Sequence, residues 1–226
     1  MARLIRTRAV LVSAVSLLAL CVASTLSAPS AVAAPAHLSK KAKNGGRKKA
    51  AKKVANVKVT AGTETFLLNA HVVQALERAA VSVAAVSPAT GALASGFVFP
   101  LAGGSLNPAT GYGTLTTTGG LAFSTSVGAP GFTLGREATI SEPFLGLGSS
   151  STLSFTSLQA TPPKFSFATV ALKAVHPFVY GPAIMLANLR TSLSATGARF
   201  LNEFAGGAFT GGEVVGNLTV QVSSSS

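Results

Sequence analysis

From Phe97 to Val222 the chain returns again and again to one pattern, apolar and polar residues alternating with a period of two. Phe97-Val98-Phe99 leads into Pro100 and Gly103-Gly104. Thr114-Leu115-Thr116-Thr117 leads into Gly119-Gly120, after which Leu121-Ala122-Phe123-Ser124 alternates again. Leu153-Ser154-Phe155-Thr156-Ser157-Leu158, Phe165-Ser166-Phe167-Ala168 and Leu218-Thr219-Val220-Gln221-Val222 repeat the theme. Successive strand side chains point to opposite faces, so alternation specifies antiparallel sheet with one buried and one wet face. Glycine or proline separates most of these runs, at about the spacing of a sandwich or barrel. The expected fold is therefore mostly β, a single antiparallel β-sandwich-like domain.

Two stretches break the period. Asn69-Ala70-His71 onward places Val72, Val73, Leu76 and Ala80 on one helical face, with Asn69 as N-cap. Residues 194–204 place Ala198, Leu201 and Phe204 at helical spacing, with Ser194 as N-cap. Both follow a strand-like segment carrying Thr and Leu, through Leu68-Asn69-Ala70 and Leu193-Ser194-Ala195. Two short helices entered by the same strand-to-helix device are expected.

Charge divides the chain differently. The formal net charge is +12. Arg3, Arg6 and Arg8 open the chain, and Lys40, Lys41, Lys43, Arg47, Lys48, Lys49, Lys52, Lys53 and Lys58 form a second basic group. From residue 59 onward Arg78, Arg136, Lys164, Lys173, Arg190 and Arg199 balance Glu64, Glu77, Glu137, Glu142, Glu203 and Glu213. The body is neutral, and the basic character belongs to what precedes it.

Residues 1–33 read as a secretory signal peptide: three arginines, an apolar run over residues 9–22 too short to span a bilayer, and Ala31-Val32-Ala33 as the cleavage pattern. Residues 34–56 are rich in Ala, Lys and Gly and lack the apolar surface to offset ordering entropy, so a disordered Lys-rich tail is expected. Residues 57–222 form the β domain, and residues 223–226 a serine-rich end. The one cysteine, Cys21, lies in the leader, leaving the exported chain without a disulfide. Localisation is secreted or envelope-associated, with no transmembrane span in the mature chain.

Chemistry is sparse. The chain contains no aspartate, which removes the usual calcium loops and the Ser-His-Asp triad. His37, His71 and His176 lack zinc-ligand spacing, so no metal site is expected. His71 reads as a solvated rim residue, and Gly206-Gly207 with Gly211-Gly212 as turn glycines. Glu137 and Glu142 are the pair a surface glycoside hydrolase would use, and surface solvation explains them better. Neither catalytic residues nor an enzyme are expected. The segment His176-Pro177-Phe178-Val179-Tyr180-Gly181-Pro182 gathers a histidine and a tyrosine between prolines, which makes His176 and Tyr180 candidate ligand-binding residues at a loop mouth. The eight cations of residues 40–53 carry no interleaved aromatics. They suit a solubilising linker, or contact with anionic envelope polymers or a lipid surface, rather than specific nucleic acid.

One family resemblance follows from ordered segments: Ser87-Pro88-Ala89, then Phe97-Val98-Phe99-Pro100-Leu101-Ala102-Gly103-Gly104-Ser105-Leu106-Asn107, then Gly113-Thr114-Leu115-Thr116-Thr117-Thr118-Gly119-Gly120-Leu121. Leu193-Ser194-Ala195, Phe209 with Gly212, and Val214-Val215-Gly216-Asn217-Leu218 complete it. Over most of residues 60–222 the chain resembles secreted actinobacterial proteins related to the HtaA haem-uptake domain. The resemblance implies a mostly β fold with two short helices and haem as cofactor. It also implies an iron-ligating tyrosine from the first helical region, supported by a histidine after a Thr-Gly pair in a central hairpin. Here Leu76 stands near the tyrosine's place and the hairpin reads Thr118-Gly119-Gly120. A haem would have to recruit Tyr180 or His176. The expected function is a noncatalytic, envelope-associated binding or structural domain. Haem binding or relay is the alternative, and a surface hydrolase the third reading.

Overall fold

The computed structural model describes residues 54–126, 135–159, 162–172 and 176–224. The leader, the tail cations from Lys40 to Lys53 and the expectations attached to them lie outside the described residues.

The first strand, β1 (Val57–Leu68), turns into helix α1 (Ala70–Arg78). Strands β2 (Val81–Val86), β3 (Thr90–Ala92), β4 (Gly96–Leu106), β5 (Gly113–Thr117) and β6 (Gly120–Thr125) follow. Next come β7 (Glu137–Leu147), β8 (Ser151–Thr156), β9 (Lys164–Ala171) and a three-residue β10 (Phe178–Tyr180). Strand β11 (Ala183–Leu193) enters α2 (Ala195–Ala205), and β12 (Val214–Ser224) ends the fold. The mostly β, sandwich-like architecture with two helices is as expected from the alternation.

All twelve strands join one sheet through antiparallel pairs. Neighbours run β1-β12-β11-β9-β8-β7-β5-β4, and β4 pairs back to β1 with Phe66 against Phe97, which closes an eight-strand ring. Where β4 and β7 diverge beyond β5, the path β3-β2-β6 bridges them. Strand β10 stands off this path and pairs with β11. Closure leaves few free edges, which suits a domain that has no disulfide to rely on.

The interior is apolar. Phe66, Phe97, Phe99, Phe155 and Phe204 are fully buried, and Phe155 meets both Phe99 and Phe167 edge-on. Burying side chains of this size supplies the main driving force for the fold.

The two strand-to-helix devices have a common geometry. β1 and β11 both flank β12, so α1 and α2 leave the sheet at the same end. Ser194 caps α2 as expected, its hydroxyl accepting from Gly197 N at 2.9 Å and donating to Ser166 O. Asn69 holds the N-cap position of α1 without capping it through its side chain, and Nδ2 donates instead to Val214 O at 3.1 Å. The buried side of α1 is Val72 and Leu76 with Ala75 and Ala79 packed beside them. Ala80 falls beyond the helix at φ 53 and is exposed, because the chain must reverse there into β2. The buried side of α2 includes Ala198, Leu201 and Phe204 as expected, and adds Phe200.

Candidate functional site

The resemblance implies a ligand beside α1 and the β5–β6 hairpin. α1 lays Leu76 against Leu121 and Phe123 of β6, with Phe66, Phe167 and Leu201 completing the wall. The space left between them is about 10 Å³. A pocket for a drug-sized ligand has roughly 300 Å³ or more. The hairpin is equally closed. Gly119 has φ 89, and a Cβ there would lie 2.5 Å from Ala89 N; a Cβ on Gly120 would lie 2.2 Å from Ile140 O. Backbone crowds both positions, so neither accepts a histidine. The residues present do not fit a haem held by this route.

His176 and Tyr180 sit on the β10–β11 hairpin at the opposite end, away from both helices. His176 is exposed, and Tyr180, which pairs with the half-buried Ala183, is 89% exposed. The β4–β5 turn packs close by: a Cβ on its Gly111 would lie 3.0 Å from Leu186 Cδ2 and 3.3 Å from Pro177 Cγ.

Two open hollows lie elsewhere. One, of about 410 Å³, runs beside α2 and is lined by Gln159, Pro162, Phe165, Arg199, Phe200 and Glu203. The Phe165 and Phe200 rings, 5.5 Å apart, pack beside one another in its wall. The other, of about 290 Å³, lies between Thr118, Glu142 and Lys164, whose ammonium stands 4.1 Å over the Phe144 ring. Glu142 adopts φ 51. Glu137 and Glu142 are five positions apart along β7, roughly 15 Å of strand, wider than the spacing of paired glycosidase carboxylates. Among the described residues no three His, Cys, Asp or Glu side chains gather as a metal site. His71 is half exposed and meets Glu213 Oε1 at 2.9 Å, and Glu213 Oε2 also accepts from Thr210 N. Gly206 ends α2 in the left-handed conformation and donates to Asn202 O, a turn role.

The residue that sequence reasoning passed over is Glu64. It lies on β1 between Val220 of β12 and Phe99 of β4 and is fully buried. Neither carboxyl oxygen has a hydrogen-bond partner. Burial pushes its pKa from 4.5 up to about 8, so it is protonated at neutral pH. The signal was present: Glu64 shares the inward parity of Phe66 two positions on.

No protein-family model and no curated protein sequence matches the chain. Solved structures do. The C-terminal domain of HtaA from Corynebacterium glutamicum superposes at a TM-score of 0.54 with 14% identity, over 74% of this chain and 98% of that one. The N-terminal domain of the same protein gives 0.54 with 19% identity, over 74% and 99%. Heme binding protein HtaB from that organism gives 0.47 with 14% identity, over 76% and 96%. The HtaA domains thus share the fold, in agreement with the resemblance carried by the ordered sequence segments.

Proposed function

We propose that this chain is an exported, noncatalytic binding or structural domain on an HtaA-type fold, associated with the cell envelope through its Lys-rich arm. The observation that carries the reading is close packing: Leu76 and the backbone-crowded Gly119-Gly120, which the resemblance sets near its tyrosine and histidine, leave no space for a haem. A fold can outlive its ligand when the site is repacked, because the site and the scaffold are separable. The leader pattern supports export, and the neutral body leaves residues 40–53 as the cationic contact.

Haem binding or relay is the second reading, favoured by the shared fold with the HtaA domains. Haem titration of the purified protein separates the two. No saturable Soret shift is expected. A shift lost in Tyr180→Phe or His176→Ala replaces the proposal with haem binding at the hairpin. The arm is tested by retention on isolated envelopes across a salt series, against a variant with all eight cations of residues 40–53 changed to glutamine. Retention that falls with salt and is lost in the variant is expected. Equal retention of the two forms removes the arm from the reading.

A further inference from the structure

The large apolar side chains exposed among the described residues are not scattered. Six of the eight are Val54, Tyr112, Phe178, Val179, Tyr180 and Met185, the other two being Leu67 and Leu158. Those six share the end of the ring opposite the helices. Asn107 Nδ2 donates to Val54 O at 2.7 Å, and Asn107 N donates to Tyr112 O at 2.7 Å, so the start of the domain and Tyr112 meet at the β4–β5 turn. Gly111 of that turn abuts Pro177, just before β10. From the other side, Ser223 of β12 pairs with both Ala61 and Ala183, and Ser224 N donates to Pro182 O at 2.9 Å. The entry into β1 and the β10–β11 hairpin are therefore two strand spacings apart, about 10 Å. On β10 itself Phe178 is 64%, Val179 52% and Tyr180 89% exposed.

The eight cations end at Lys53, the residue before Val54, and Lys58 is exposed near the start of β1. Glu77 on α1, Glu203 on α2, Glu213 ahead of β12 and Glu137 where β7 begins lie at the other end, where Arg78 on α1, Arg199 on α2, Arg136 and Lys164 balance them. Arg136, beside Glu137, donates to Glu203 O, which fixes β7's start against α2. One end thus combines exposed aromatic and aliphatic side chains with the attachment point of eight positive charges, whereas the charges of the helical end balance one another.

We infer that this end docks on an anionic lipid surface, with Phe178, Val179 and Tyr180 in the headgroup boundary and the arm's cations against the lipid phosphates. The inference rests on the envelope-binding reading above and names its surface. A wall polyanion would use the cations but leave the aromatic side chains in water, whereas a bilayer boundary accommodates both. Lipid binding of this kind takes two signals, an apolar one and a polybasic one, and the two meet here.

The test is flotation of the full protein with phosphatidylglycerol-containing vesicles and with pure phosphatidylcholine vesicles, across a salt series. The chain has two tyrosines and no tryptophan, so tyrosine emission quenched by brominated acyl chains reports contact directly. The wild type is expected to float with the anionic vesicles only, with quenching. Phe178→Ser/Val179→Ser, which keeps both tyrosines as reporters and is checked for an unchanged far-UV circular dichroism spectrum, should lose roughly tenfold in partitioning and its quenching. The eight-glutamine variant should fall to the phosphatidylcholine level. Anionic flotation unaffected by the double substitution overturns insertion. No flotation, with salt-sensitive retention on isolated envelopes intact, overturns the lipid surface while leaving the envelope reading standing; loss of both overturns both.

Discussion

At the scale of single residues, Glu64 departs most from what its surroundings favour. Neither flanking strand carries a titratable side chain, and the charged side chains of β7, β9 and β11 are exposed. Nothing compensates the burial, so the proton is held well above the usual carboxylate range. The folded state binds a proton that the unfolded state releases above about pH 4.5, so the contribution of Glu64 to stability is greatest below that pH, falls as pH rises to about 8, and is level beyond. The loss is on the order of a few kcal/mol. Glu64→Gln should flatten this dependence in denaturant titrations run from pH 4 to pH 9, and Glu64→Leu should raise the melting temperature most at the alkaline end. A slope that survives Glu64→Gln would assign it to another group. His71 offers a contrast. Its pair with Glu213 is largely solvated, so His71→Ala should change stability by less than about 1 kcal/mol.

At the scale of elements, the two helix entries separate readily. Ser194 gives α2 a true side-chain cap, and Ser194→Ala should cost about 1 kcal/mol in urea unfolding. Asn69→Ala should instead release a tie between α1 and β12, since the side chain bonds Val214 O rather than the helix. Gly197 sits inside α2 with the position of a Cβ only 2.0 Å from Phe167 O. Gly197→Ala should therefore lift α2 off β9 and destabilise by more than the helix propensity gain of about 1 kcal/mol can recover; a neutral result in the same urea titration would contradict the close approach. Much at this scale was legible in advance. Period-two runs became β4, β6, β8, β9 and β12, because a half-buried strand must alternate. The short β3 and β10 gave no such warning, being exposed along their length. Ala80 was misassigned to the helix face because periodicity does not register where the backbone must turn.

At the scale of the whole molecule, one apolar cluster runs from Val59 to Val222 inside a sheet whose edges meet. A ring closed through β1 and β4 loses its partners on both sides if it opens anywhere, so the domain should unfold in one cooperative step, with far-UV circular dichroism and tyrosine fluorescence transitions coincident. Separate transitions would mean that the β2-β3-β6 bridge is an independent unit. The sequence by itself determined the fold class, the two helices, the neutrality of the body and the basic segment before it, because hydrophobic period and charge are local properties of the chain. It also carried the resemblance that sets Leu76 near the expected tyrosine and Gly119-Gly120 near the expected histidine. Only the tertiary structure decided that these places are packed shut, that Glu64 has no partner, and that Val54, Tyr112 and Phe178-Val179-Tyr180 share one end. Those depend on strand register and ring closure, which bring together residues more than a hundred positions apart, and no local pattern encodes which distant neighbour a side chain will meet.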